Sequence, residues 1–233
     1  MNRLDGQREF LSIIKSIRSY IEAEKVYGIS EVLIPNANAV KIRRTKKVSK
    51  AELLAVIRNE VFNCKRCSLH KARRNVVFGD GNPNAKLLLV GEAPGYEEDL
   101  QGLPFVGQAG KLLTRIIESI GLTRNSVYIC NVLKCRPPGN RSPLPEEISV
   151  CKTYLIRQIQ IISPKAILCL GKYASQAVLG VDDPITNIRG KDYDYKGIHL
   201  IPTFHPAYLL RNPNSKKYVW EDLQKIKRII SEA

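Results

Sequence analysis

Leu87-Leu88-Leu89-Val90-Gly91-Glu92-Ala93-Pro94-Gly95 decides how this chain is read. A short apolar run bounded by turn formers describes a strand buried on both faces. The turn behind it carries one carboxylate, Glu92, between Gly91 and Gly95, where a ligand can approach the backbone closely. In an open α/β sheet, ligands bind just beyond the carboxyl ends of the strands. Two later apolar runs end in the same way. Tyr128-Ile129-Cys130-Asn131 delivers an amide, and Leu200-Ile201-Pro202-Thr203-Phe204-His205-Pro206 delivers an imidazole. A carboxylate, an amide and an imidazole at three strand ends converge on one pocket.

Outward from that strand, helical and strand patterns alternate. Ser49-Lys50-Ala51-Glu52 reads as a capping box that opens a helix over 51–62, whose Leu53, Leu54, Ile57 and Val61 share a face. Further helices are expected at 109–120, stopped by Gly121, at 145–162, with Pro145 in its first turn and Pro164 beyond its end, at 172–179, and from 215 to 230. Strands are expected at 86–90, 127–133 and 166–170, and a strand at 192–195 pairs locally with 197–204. Residues 79–83 form a dense turn cluster. This alternation implies an α/β fold with a parallel sheet covered on both faces.

Residues 1–48 read as a separate unit, ahead of a main domain at 49–233. Phe10, Ile13, Ile14, Ile17 and Ile21 mark an amphipathic helix over 8–27. The stretch 41–50 carries six positive charges in ten residues, which suits either a tail that tracks phosphates or a solvated tether. Across the whole chain of 233 residues, Lys and Arg outnumber Asp and Glu by 37 to 22. That excess points to a polyanionic partner, most simply nucleic acid. No apolar run approaches the roughly 20 residues of a bilayer span, and no secretory core opens the chain, so an intracellular (cytoplasmic) protein with no membrane partner is expected.

Six cysteines in such a compartment are ligands or core residues rather than disulfides. Cys64 and Cys67 form a C-x2-C pair, and Cys135 and Cys151 follow after 67 and 15 intervening residues. Four thiolates complete a metal site. The spread arrangement favours a four-iron cluster, with zinc as the alternative. Cys130 and Cys169 lie within apolar strands and read as small core residues.

Four motifs occur in a fixed order: Gly91-Glu92-Ala93-Pro94-Gly95, Pro104-Phe105-Val106-Gly107, Asn131-Val132-Leu133-Lys134-Cys135-Arg136-Pro137-Pro138 and His205-Pro206-Ala207-Tyr208-Leu209-Leu210. In these motifs, and in the spacing of its four cysteines, the chain resembles the family 4 uracil-DNA glycosylases over residues 51–230. The resemblance implies a three-layer αβα sandwich around a four-stranded parallel sheet. It also implies a [4Fe–4S] cluster on Cys64, Cys67, Cys135 and Cys151, and excision of uracil from DNA by cleavage of the N-glycosidic bond.

The resemblance implies roles for single residues as well. Gly91, Glu92, Ala93, Phe105, Asn131 and His205 would contact the flipped base. Phe105 stacks on the ring. Asn131 matches the N3–H donor and O4 acceptor of uracil, provided second-shell bonds hold its amide in one flip. His205 donates to O2 as charge builds on the departing base. Glu92 orients water or stabilises the cationic sugar, although better-known uracil glycosylases place an aspartate in this motif. Glu98 crowds the position of the thymine methyl. Asn140 and Arg141 touch the DNA backbone, as does Arg211. Leu209 and Leu210 either wedge into the vacated stack or are core residues opening a helix. A monomer acting on uracil-containing DNA is expected, with residues 1–48 available to dock a repair or replication protein. Two other functions compete: a DNA-binding iron–sulfur protein without glycosylase activity, and a glycosylase with wider base choice.

Overall fold

A computed structural model describes residues 48–231. The helix expected at 8–27 and most of the basic stretch lie outside the described residues. The first described helix, α1 (Lys50–Phe62), opens on the expected capping box: Ser49 Oγ accepts from the Glu52 N–H at 3.2 Å, and Glu52 Oε2 accepts from the Ser49 N–H at 2.7 Å. Leu54, Ile57 and Val61 point inward, whereas Leu53 is exposed, so the buried stripe is narrower than its apolar spacing suggested.

In chain order there follow β1 (Asp80–Gly81), β2 (Leu87–Gly91), α2 (Tyr96–Gln101), α3 (Gln108–Glu118), β3 (Tyr128–Asn131), α4 (Pro145–Ile162) and β4 (Ala166–Leu170). The remainder is α5 (Lys172–Leu179), α6 (Ile185–Ile188), β5 (Tyr193–Tyr195), β6 (Ile198–Thr203), α7 (Pro206–Arg211) and α8 (Lys216–Ser231).

The strands form one six-stranded sheet in the order β1-β3-β2-β4-β6-β5. Its centre, β3-β2-β4-β6, is parallel, as the resemblance implied. Two antiparallel edges bring the total to six rather than four. β5 folds back on β6 as expected, while Asp80–Gly81, read from sequence as turn, pairs with Tyr128 and Ile129. A two-residue edge strand carries no periodicity to detect.

Side chains alternate across the central strands, and the two faces build two cores. Leu88, Val90, Cys130, Ile167, Cys169 and Leu200 pack with α1 and α4. Leu87, Leu89, Ile129, Leu168 and Ile201 pack with α3 and α8. The result is a three-layer αβα sandwich, with Cys130 and Cys169 wholly buried in it.

Register carries the motifs to one end of the sheet. Gly91 pairs with Asn131, and Leu170 pairs with Thr203 two residues before His205. Beyond the strand ends, the Val132 and Leu133 N–H groups donate to the carbonyls of Gly91 and Glu92 at 2.9 and 3.0 Å. Chain order reverses at β2, with β3 on one side and β4 on the other, and a crevice opens at such a switch point.

Candidate active site

A cleft of about 460 Å³ opens at this end, and Glu92, Ala93, Phe105, Asn131 and His205 all line it. The three strand-end groups therefore meet in one pocket, as their positions implied. Gly91 lies beneath the floor. A Cβ there would collide with Asn131 Oδ1 and stand 2.6 Å from Phe105 Cζ, so no side chain fits.

Asn131 is 1 % exposed, and its carbonyl oxygen is buried without a hydrogen-bond partner. The second-shell bond expected to hold that oxygen is absent among the described residues. Burial favours the present flip by another route. Turned over, the amide would bury an NH2 group with two donors to satisfy, and orphaned N–H groups are rarer than orphaned carbonyls.

Phe105 has φ 54, a left-handed conformation that is strained for a bulky residue. Its surroundings enforce this. Arg124 donates to the Phe105 carbonyl at 3.1 Å and to the Pro104 carbonyl at 2.7 Å, and Gly110 leaves room for the Phe105 backbone. No motif had singled out Arg124, which acts 19 residues away from its target. The Phe105 and His205 rings tilt by 34° with centroids 5.7 Å apart, forming adjacent walls.

His205 caps α7, because its Nδ1 accepts from the Ala207 N–H at 3.1 Å. That bond assigns the proton to Nε2, on the other side of the ring. Burial, reinforced by the Arg211 charge, pushes the imidazole pKa down to about 4, so the ring is neutral at ordinary pH. Glu92 shifts the opposite way: burial raises its carboxyl to about 7.

Glu98 lines the cleft, but its carboxylate is committed. Oε1 accepts from the Val106 and Gly107 N–H groups at 2.8 and 2.9 Å, and Oε2 accepts from the Gly95 N–H at 3.1 Å. It ties the Glu92 turn to the Phe105 loop, a role that the spacing of the two motifs did not reveal.

Around the mouth, Asn140, Arg141, Tyr208 and Arg211 line the cleft. Arg141 is held in a two-point pair with Glu147, at 2.6 and 2.9 Å, so it is less free for phosphate than expected. Asn140 Oδ1 accepts from Arg136 Nε at 2.7 Å. Leu209 is wholly buried among core residues and cannot reach DNA, so of its two readings the core residue holds and the DNA-contacting wedge does not. Leu210 is 46 % exposed and Tyr208 is 37 % exposed. Helical periodicity separates these three neighbours, and only the fold says which of them faces inward.

Away from the cleft, Cys64, Cys67, Cys135 and Cys151 line a single small cavity between the end of α1 and α4. Arg73 donates to Cys135 Sγ at 3.1 Å, and the Lys134 N–H donates to Cys151 Sγ at 3.3 Å. Burial raises both thiols, Cys151 to about 12, while Arg73 and Lys134 pull against that rise. Among the described residues no three His, Cys, Asp or Glu side chains are grouped so as to hold a metal ion. No helix among them is long and apolar enough to cross a membrane.

Residues 78–227 match the uracil DNA glycosylase superfamily. The chain is 46% identical over 183 residues to a type-4 uracil-DNA glycosylase of Archaeoglobus fulgidus, covering 75% of this chain and 92% of that protein. It is 47% identical over 188 residues to the type-4 enzyme of Thermotoga maritima, covering 79% of this chain and 98% of that protein. The type-4 enzyme of Sulfurisphaera tokodaii is 48% identical over 185 residues, covering 76% of this chain and 84% of that protein.

Proposed function

The chain belongs to the type-4 uracil-DNA glycosylases of the uracil DNA glycosylase superfamily, and from that premise we propose that the cleft receives a uracil flipped out of DNA and that its residues act as follows. The observation that carries this reading is the buried, partnerless Asn131 oxygen in a pocket walled by Phe105 and His205. An unmade buried hydrogen bond costs about 1–3 kcal/mol, and uracil N3–H supplies the missing donor. Cytosine presents a bare N3 there. Phe105 stacks on the flipped ring, its loop held by Arg124 and Glu98. As the C1′–N1 bond breaks, electrons move to the base, and His205 Nε2–H donates to O2. That donor helps most where charge develops, and a neutral ring suffices. Water forms the new bond to C1′, and the Glu92 carboxylate takes its proton. We assign exclusion of thymine to the Glu98–Phe105 unit rather than to a free carboxylate. Glu98→Ala, which unties both loops, is expected to allow measurable thymine release from a T:G oligonucleotide.

Glu92 sets the pH response. With a carboxyl near 7, kcat/KM for excision is expected to rise with pH between about 6 and 8 and then level off. His205 adds no break in that range, since it stays neutral above about 4. Glu92→Gln is expected to abolish the rise. It also alters stability. A carboxyl raised on folding contributes stability that is fully present below the unfolded value of 4.5 and lost as pH climbs through 7. Glu92→Gln is therefore expected to be more stable than the parent at pH 8, by about 1–2 kcal/mol after allowance for partial exposure, and equal to it near pH 4. Denaturant melts at the two pH values check the sign.

Four thiols around one cavity are the donor set that a [4Fe–4S] cluster takes. Cys64, Cys67, Cys135 and Cys151 would hold it, and Arg73 and the Lys134 N–H already point hydrogen at two of the sulfurs. The spread 2+1+1 spacing of these cysteines supports a cluster over zinc, which more often uses two close pairs. When bound, it supplies cross-linking of distant segments and no step of hydrolysis.

The test is release of uracil from a labelled oligonucleotide followed by alkaline cleavage, run beside iron content and visible absorption of anaerobically purified protein. DNA binding without cleavage overturns the reading. We further assign residues 1–48 to docking a repair or replication protein, so their removal should leave uracil release intact.

A further inference from the structure

Lys134 is wholly buried, and the hydrogen bonds its ammonium makes among the described residues go to neutral oxygens. It donates to the Asn131 backbone carbonyl at 2.7 Å and to Gln158 Oε1 at 2.6 Å. Gln158 is fixed in that orientation, because its Nε2 donates to the Phe78 carbonyl at 3.0 Å. The Lys134 N–H meets Cys151 Sγ at 3.3 Å, and Lys134 also lines the cysteine cavity. Cys151 and Gln158 stand two turns apart on α4 and so share the face that meets Lys134. A buried ammonium is costly unless opposite charge stands near. None of the ion pairs among the described residues includes Lys134. The cysteine cavity is where such charge would reside, since four thiolates outweigh the charge of a four-iron core.

We propose that Lys134 is a positioning residue that couples the two sites: it balances the charge of the cysteine cavity while its ammonium holds the Asn131 backbone at the base pocket. This rests on the cluster reading above. An intact cluster then favours the Asn131 geometry, although it lies outside the cleft and touches no substrate.

Lys134→Met removes the charge and keeps the bulk. With iron content at the parent level, the variant is expected to lose about 10- to 100-fold in kcat/KM for uracil excision, the range that outer-shell changes typically cost, and chiefly through KM, because Asn131 holds the base. The cluster's reduction potential should move to more negative values, because a buried cation no longer favours the added electron. Parent kinetics with an unmoved potential overturns the proposal. Iron-free parent protein instead overturns the cluster reading. Should Lys134→Met lose its fold or its iron, Gln158→Met decides the matter. It keeps the charge but releases one bond, so a raised KM at full iron content supports the coupling and a parental KM overturns it.

Discussion

Asn131→Asp is expected to lower kcat/KM for uracil by about 10³-fold and to reduce the preference for uracil over cytosine by at least as much. A pocket built to hydrogen-bond its substrate discriminates strongly because a mismatch leaves buried polar groups unpaired. Aspartate keeps an acceptor for N3–H but loses the NH2 donor that meets O4, so two acceptors face each other. The same carboxyl accepts readily from the amino group of cytosine. Because Asn131 is 1 % exposed, water cannot repair the loss. The measurement is single-turnover release from oligonucleotides carrying U or C opposite G. An unchanged U-to-C ratio would mean that this amide does not read the base.

His205→Ala is expected to cost about 10²–10³ in kcat with KM little changed, the usual effect of removing one donor from a developing anion. A second effect accompanies it. The same ring caps α7 through its Nδ1 bond to the Ala207 N–H, and losing a cap costs about 1 kcal/mol. Kinetics and a denaturant melt on the same variant separate the two. Burial holds the imidazole neutral, so Glu92→Gln, which lacks the carboxyl that titrates near 7, should show no kinetic break near pH 6.5. Such a break would contradict the environment described for the ring.

Phe105 and Glu98 illustrate how positioning depends on distant groups. The strained backbone at Phe105 persists because Arg124 holds two carbonyls of its loop and Glu98 binds the N–H groups that follow it. Neither residue announces this in sequence. Each acts on partners several to 20 positions away, with no periodic spacing to mark the contact. The edge strand at Asp80–Gly81 carries no local signal for a similar reason, since its pairing is supplied by β3.

Sequence alone determined the strand–helix alternation, the three polar strand ends, the capped start of α1 and the core character of Cys130 and Cys169. These follow from local periodicity, turn chemistry and burial pattern, which neighbouring residues share. Tertiary structure decided which of Leu209 and Leu210 faces the core, that Arg141 is committed to Glu147, that the Asn131 oxygen lacks a partner, and that Lys134 lies between cysteines and base pocket. Each of these depends on what another segment brings alongside, and chain order carries no record of that.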